Sequence, residues 1–451
     1  MKHTGVFFGL AALLAACWLT SCIPTDNTLG SSLVPSNQDI TIKTETLDLP
    51  LQPMQASGDL QSRISSGLDI GSIGTEFCSE GLVSVTPAID SIVWGKDPAV
   101  QRVYLSMVLD TALVMRDDQK AIPQNIYVHR LNFELDSTCR NGTAERFKTA
   151  YYDAEPISTG GCIYTGDDAW SIELKKEIGE ELLRFPMATL DSAELFMKQF
   201  YGLCMRTDHP DDAEVSRDGE GRLNLFDLSS SYLILNWNYT DDDGNRKTSS
   251  AYFSLGAKHA MNLYRTLRTT TATSDQIVVQ GLTGSKPIVS GLHLKHAVEG
   301  WAIRSGIPPE NLVIAKAIVE FPFEYTGTSS QFDHYALNLF PCQRLLDDDG
   351  VPYYAPIEEI NDTALEDGSI NRSLLCYKSN ISLYLQDLLS MDDDEIDEED
   401  DLWFMPTYSY YNSTTGVTYY YADNFYYSQT ILNGTGSLRH PVLKLTYSVL
   451  K

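Results

Sequence analysis

Basic residues are scarce in this chain. Lysine and arginine number 33 against 61 aspartates and glutamates, a formal net charge of −28. A surface of that sign repels phosphate backbones and anionic headgroups, which excludes nucleic acid as a partner. No two cysteines stand at CxxC spacing, so zinc-ribbon and thioredoxin-like chemistry lack their ligands. The GxSxG elbow, the Walker loop, HExxH and a strand-borne GxGxxG are also missing. Those spacings build exposed nucleophiles, phosphate cradles, zinc sites and dinucleotide sites. The sequence therefore predicts no enzyme, no cofactor and no metal. An envelope hydrolase is the disfavoured third reading, since catalytic residues that converge only in three dimensions leave no local motif.

What is present begins at the N-terminus. Lys2 and His3 precede the apolar run GVFFGLAALLAACWLT, which has the length of a secretory h-region and is short for a membrane span. Small residues precede two cysteines, in Leu14-Ala15-Ala16-Cys17 and Leu19-Thr20-Ser21-Cys22. Both match a bacterial lipobox, in which the thiol carries diacylglycerol. Cys22 is the better acceptor, because the polar IPTDNT follows it, whereas Cys17 would leave Trp18 and Leu19 beside the lipid. Residues 1–21 then read as the lipoprotein signal peptide and 22–45 as a lipidated tether. Two or three acyl chains on one residue anchor stably, at about 0.8 kcal/mol per buried methylene. The other cysteines are Cys78, Cys139, Cys162, Cys204, Cys342 and Cys376. An oxidising envelope would allow disulfides, and packing as buried thiols is equally consistent.

Residues 46–451 read as one β-rich unit, β-sandwich-like or multi-sheet, with a few inserted helices. The polar stretch 206–222 is where it would divide into two subdomains. The glycines of SGLDIGSIGTEFCSEGLVSV (66–85) suggest turns between short extended pieces. IDSIVW (89–94), VQRVYLSMVL (100–109) and NIYVHRLNFEL (125–135) have strand composition. In YLILNWNYTDDDGNRKTSSAYFSL (232–255), Leu233, Leu235, Trp237 and Tyr239 alternate with smaller or polar residues, and Asp243-Gly244 supplies the hairpin turn. Further strands are expected at 276–282, 311–325 and 441–450. Helices are expected at 171–185, stopped by Pro186; after Asp191, ended by Gly202; and at 380–389, capped by Asn380.

In this order the segments resemble a known family. The matching pieces are the anchor with TLGSSLVP (28–35), DIGSIGTEF (69–77), IDSIVW (89–94), IYVHRLNFELD (126–136), FMKQFYGLCM (196–205), VVQGLTGSKPIV (278–289), ISLYLQDLL (381–389) and VLKLTY (442–447). The chain resembles the Bacteroidota envelope lipoproteins grouped as domain of unknown function 4270. That resemblance implies a largely β outer-membrane lipoprotein without established activity, and a subunit of a machine built on an outer-membrane β-barrel.

Several stretches invite a site. His293 and His296 would share a helical face, but no cysteine or acidic partner stands at ligand spacing, and solvent-facing imidazoles are the simpler reading. His129, in an expected strand, reads as a hydrogen-bonded and partly buried histidine. The acidic run MDDDEIDEEDD (391–401) lacks the alternation and central glycine of a calcium loop and reads as a mobile, solvated segment. The run WFMPTYSYYNSTTGVTYYYADNFYYSQTILNGTG (403–436) is dense in tyrosine. Exposed tyrosines make rigid, flat, hydroxyl-tipped binding faces, and the alternative is a strand pair packed into a β core. Trp403, Tyr408, Tyr410, Tyr419, Tyr421 and Tyr426 are the candidate binding residues. The expected function is a non-catalytic, lipid-anchored outer-membrane lipoprotein, at the cell surface rather than the periplasmic face, that binds a β-barrel or other envelope proteins in an assembly or export complex. The alternative is a glycan-binding lipoprotein beside a nutrient-uptake barrel.

Overall fold

The computed structural model describes residues 42–56, 62–64, 67–73, 77–89, 92–114, 122–136, 139, 149–160, 162–208, 221–266, 274–348, 350, 352–358, 366–422 and 427–450. The signal peptide, Cys17, Cys22 and nearly all of the tether lie outside them. The tether ends earlier than expected. Residues 43–45 already belong to the strand Lys43–Asp48, which pairs antiparallel with the strand Val442–Val449 at the other end of the chain.

Among the described residues strands dominate, arranged in four sheets. The largest has eleven strands and is built within residues 62–266. Six of them close a ring: Gly67–Ile73, Phe77–Pro87, Arg246–Thr266, Tyr232–Thr240, Lys96–Val114 and Gly221–Asp227, with the last pairing back to the first. Closure leaves those strands without a free edge, so their backbone groups are satisfied by neighbours. A register shift between Leu255, opposite Val85, and Ala260, opposite Val83, puts an irregularity into the pairing of the 21-residue strand Arg246–Thr266 with Phe77–Pro87.

The expected hairpin forms within this ring. Leu233, Leu235 and Trp237 are buried, Asn236 and Asn238 less so, and Gly244 adopts a φ of 82° at the turn. Trp237 donates Nε1–H to the Trp94 carbonyl at 2.9 Å and meets the Trp94 ring edge-on at 4.9 Å. Trp94 belongs to the segment expected as a strand at 89–94. Residues 92–95 instead run outside any ladder, and Trp94 serves as a plug.

The helix expected over 171–185 is shorter. Ala169–Glu173 is a strand on Lys96–Val114, with Ile172 opposite Leu105, and the helix spans Lys176–Leu182, burying Ile178 and Leu182. The next capped helix is Ala193–Gln199. Its cap is Ser192, whose Oγ accepts from Leu195 N at 3.3 Å, and it ends at Phe200 rather than at Gly202.

The other three sheets come from residues 43–56 and 276–449. They surround a second core containing Ile288, Leu294, Val319, Phe321, Leu385, Phe404 and Leu445. Helix Gly291–Arg304 lays Trp301 edge-on against Tyr447 at 5.0 Å, and helix Ser382–Ser390 packs on strand Leu312–Pro322. Asn380 Oδ1 accepts from the Ser382 amide at 3.1 Å, but the N-cap position falls on Ile381, one residue later than expected, and carries no side-chain cap bond. The stretch 206–222 does not separate the two cores. Its flanking strands Leu203–Thr207 and Gly221–Asp227 belong to the same sheet, and the core changes only beyond Thr266.

Candidate functional site

The tyrosine-rich segment folds as a hairpin, strands Leu402–Asn412 and Val417–Ala422, paired from Thr407↔Ala422 to Asn412↔Val417. Asn412 closes its tip: Oδ1 accepts from Thr414 N at 2.9 Å and Thr415 N at 3.2 Å, and Gly416 takes a φ of 70°. The base of the hairpin is core. Trp403 sits between Ile288 and Cys342 on neighbouring strands, is 8 % exposed, and meets Tyr354 edge-on at 5.3 Å. It therefore roots the hairpin and offers no face to solvent. Phe404 and Thr407 are buried, and Tyr420 packs edge-on over Phe340 at 5.0 Å.

The tip is different. Tyr411 is 63 % exposed, Val417 45 % and Tyr419 40 %. Backbone register sets residue 408 opposite 421 and 410 opposite 419. The side chains of Tyr408, Tyr410 and Tyr421, and all of Tyr426, lie outside the described residues. The neighbouring Tyr427 is buried, accepts from Gln280 Nε2 at 3.0 Å and packs on Phe77 at 4.8 Å, joining the two halves of the chain.

The acidic run 391–401 leads into this hairpin and has a defined conformation, contrary to expectation. Asp401 Oδ1 accepts from Gly291 N at 3.0 Å, which fastens the run to the start of helix Gly291–Arg304. Burial raises the Asp401 carboxyl above its usual range, against the opposing bonds from Gly291 and Ser290. Asp393 receives Lys295 Nζ at 2.9 Å and His296 Nε2 at 2.8 Å, which hold its pKa below the usual range. Asp397 caps a single 3₁₀ turn, Glu398–Asp400, with a reciprocal capping box. Tyr384 donates its hydroxyl to the Asp400 carbonyl, and Gln343 Nε2 reaches the Glu399 carbonyl at 3.2 Å. The run is thus a strap tied down by four side chains, Lys295, His296, Tyr384 and Gln343, and by the Gly291 amide. His293 and His296 are both on the exposed side of the helix. Among the described residues no three His, Cys, Asp or Glu side chains stand together as a metal site.

Between the strap, helix Ser382–Ser390 and strand Leu339–Leu346 lies a cleft of about 420 Å³. Its walls are Gln343, Ile357, Glu358, Leu383, Tyr384, Asp387, Leu388, Met391 and Asp400. Four separate chain segments supply them, so no local motif marks the site.

A second feature without a local signal is a buried polar cluster beside the ring. Glu80 is 3 % exposed, accepts from the Tyr151 hydroxyl and faces Arg265 Nη2 at 3.4 Å, and Arg265 donates to the Tyr151 oxygen at 2.6 Å. Burial and the adjacent Glu80 push the Tyr151 phenol far above its usual range, and burial does the same to the Cys204 thiol. Groups held in their neutral forms this firmly fit a structural role. All six downstream cysteines are thiols, five of them buried. His129 is enclosed: Nδ1 bonds the Asp153 carbonyl at 2.8 Å, Nε2 has no partner among the described residues, and the ring lies 4.7 Å from Tyr152.

Comparison with family models, with curated proteins and with solved structures returns no match. The family resemblance consequently rests on the quoted segments alone.

Proposed function

We propose that this protein is a lipid-anchored, surface-facing outer-membrane lipoprotein of the Bacteroidota family named above. In this reading it acts without catalysis, as a subunit that binds a β-barrel or another envelope protein. The observation that carries it is the hairpin tip. Tyr411, Val417 and Tyr419 are exposed on a rod whose base is locked in the core by Trp403 and Phe404. Aromatic side chains held on a rigid support lose little entropy on binding and supply large contact area. The glycan alternative asks for several aromatic faces along a concave wall, and the cleft contributes one aromatic residue, Tyr384. Acylation of Cys22 supplies the membrane attachment; among the described residues no helix is long and apolar enough to cross a bilayer.

Affinity purification from gently solubilised outer membranes tests this reading. Wild-type protein is expected to recover one barrel with accessory subunits. The Tyr411→Ser/Tyr419→Ser double variant is expected to lose that partner while keeping its thermal stability, because both side chains stand in solvent. Equal recovery by wild type and variant would exclude the tip as the contact.

A further inference from the structure

The protein neutralises some of its carboxylates carefully. Glu320 receives Lys444 at 2.7 Å and Lys378 at 3.2 Å, and Asp393 receives Lys295 and His296. The cleft beside the strap is treated differently. Glu358, Asp387 and Asp400 line it, and among the described residues no lysine, arginine or histidine forms an ion pair with any of the three. Beneath them lie Ile357 and Leu388, both buried, with Met391 half-buried beside them. Tyr384 stands in the wall with its hydroxyl already committed to Asp400. The result is a concave site with an apolar floor and an anionic rim, within the roughly 300–1,000 Å³ typical of ligand sites.

We propose that this cleft receives an arginine side chain from an extended, basic segment of a protein partner. The proposal rests on the protein-binding reading above and adds the chemistry of the partner. Three features select that occupant. An aliphatic stem suits Ile357, Leu388 and Met391 while its charged head stays at the rim. A guanidinium fork can address the Asp387 and Glu358 carboxylates in a way a point charge cannot. A lysine ammonium keeps a tight hydration shell and so settles over the apolar floor less readily than the weakly hydrated guanidinium. The acidic strap around the cleft, Asp392, Asp394, Glu395 and Glu398, extends the same sign over the approach and steers a basic segment inward.

The test uses the full chain in detergent and fluorescence anisotropy with two labelled peptides, acetyl-Gly-Leu-Arg-Leu-Gly-amide and its citrulline analogue, which keeps the shape and removes the charge. The arginine peptide is expected to bind saturably, and the citrulline peptide about tenfold more weakly. Asp387→Asn and Glu358→Gln are each expected to weaken the arginine peptide roughly threefold to tenfold, and raising salt from about 50 to about 300 mM to weaken it further. Both positions are exposed, so these variants fold. Absence of saturation, equal binding of the two peptides, unchanged binding by both carboxamide variants, or free arginine binding as tightly as the peptide would each overturn the proposal. The Tyr411→Ser/Tyr419→Ser variant separates the two claims. It should bind the arginine peptide like wild type, whatever it does to membrane partners, and loss of peptide binding there would overturn the cleft as an independent site.

Discussion

His129 shows how one enclosed side chain sets a pH dependence. Nδ1 faces a carbonyl, so it must carry the proton and Nε2 must be the bare nitrogen. Burial depresses the imidazole pKa; Arg206 adds in the same direction, while the Asp153 carbonyl and the Glu80 and Asp153 charges oppose. The sign follows from linkage. Above about pH 6.5 the residue is neutral folded and unfolded, and nothing is lost. As pH falls below that value the unfolded chain takes up a proton the folded chain refuses, so stability drops, by up to about 1.4 kcal/mol per unit, until the folded value is passed. Urea midpoints measured between about pH 5 and 7 should therefore fall less steeply in His129→Phe than in wild type; parallel pH profiles would contradict the assignment. The sequence placed His129 on a strand as a partly buried histidine with its nitrogens hydrogen-bonded; the strand holds, but the ring is 1 % exposed and among the described residues only Nδ1 finds a partner. Nor could the sequence reveal the fate of Trp403. Whether an aromatic in a tyrosine-rich strand is covered depends on strands 288–289 and 339–342 flanking it, and that pairing is set more than fifty residues away.

Glycines distinguish two kinds of constraint at the level of elements. Gly71 has a φ of 150°, and a Cβ there would lie 2.1 Å from the Arg222 carbonyl oxygen on the neighbouring strand. Gly244 has a φ of 82° at the hairpin turn with open space around it. Gly71→Ala must both strain the backbone and push a ring strand aside, an expected cost above about 2 kcal/mol, whereas Gly244→Ala carries only the left-handed penalty of about 1 kcal/mol. Chemical denaturation of the two variants checks the order, and equal losses would contradict it. The hairpin at 232–255 was legible because the alternation of Leu233, Leu235 and Trp237 and the Asp243-Gly244 turn both act locally, although Ile234 between them is buried as well. The helix at 171–185 was half legible: four-residue spacing of Leu174, Ile178 and Leu182 is real, but the pairing of Ile172 with Leu105 claims the first residues for a sheet. The cleft was illegible, because Gln343, Glu358, Asp387 and Asp400 come from four separate chain segments and meet only in the folded protein.

Across the whole molecule, the chain folds around two main cores, and its earliest described strands belong with the later one. Composition forecast the β class but misplaced the division at 206–222, since a polar connection looks the same inside a sheet as between domains. An engineered protease site between residues 209 and 220 should therefore give two fragments that co-elute in native buffer. Separation of the fragments would restore a boundary there. The functional account joins an acyl anchor at Cys22 to a protein-binding tip more than 380 residues later in the chain. The most direct test replaces Tyr419 with a photo-cross-linking amino acid and irradiates living cells. The account predicts one covalent adduct with an outer-membrane protein, lost when Cys22→Ala removes the anchor. Absence of any protein adduct, or an adduct that persists with Cys22→Ala in a soluble fraction, would contradict it.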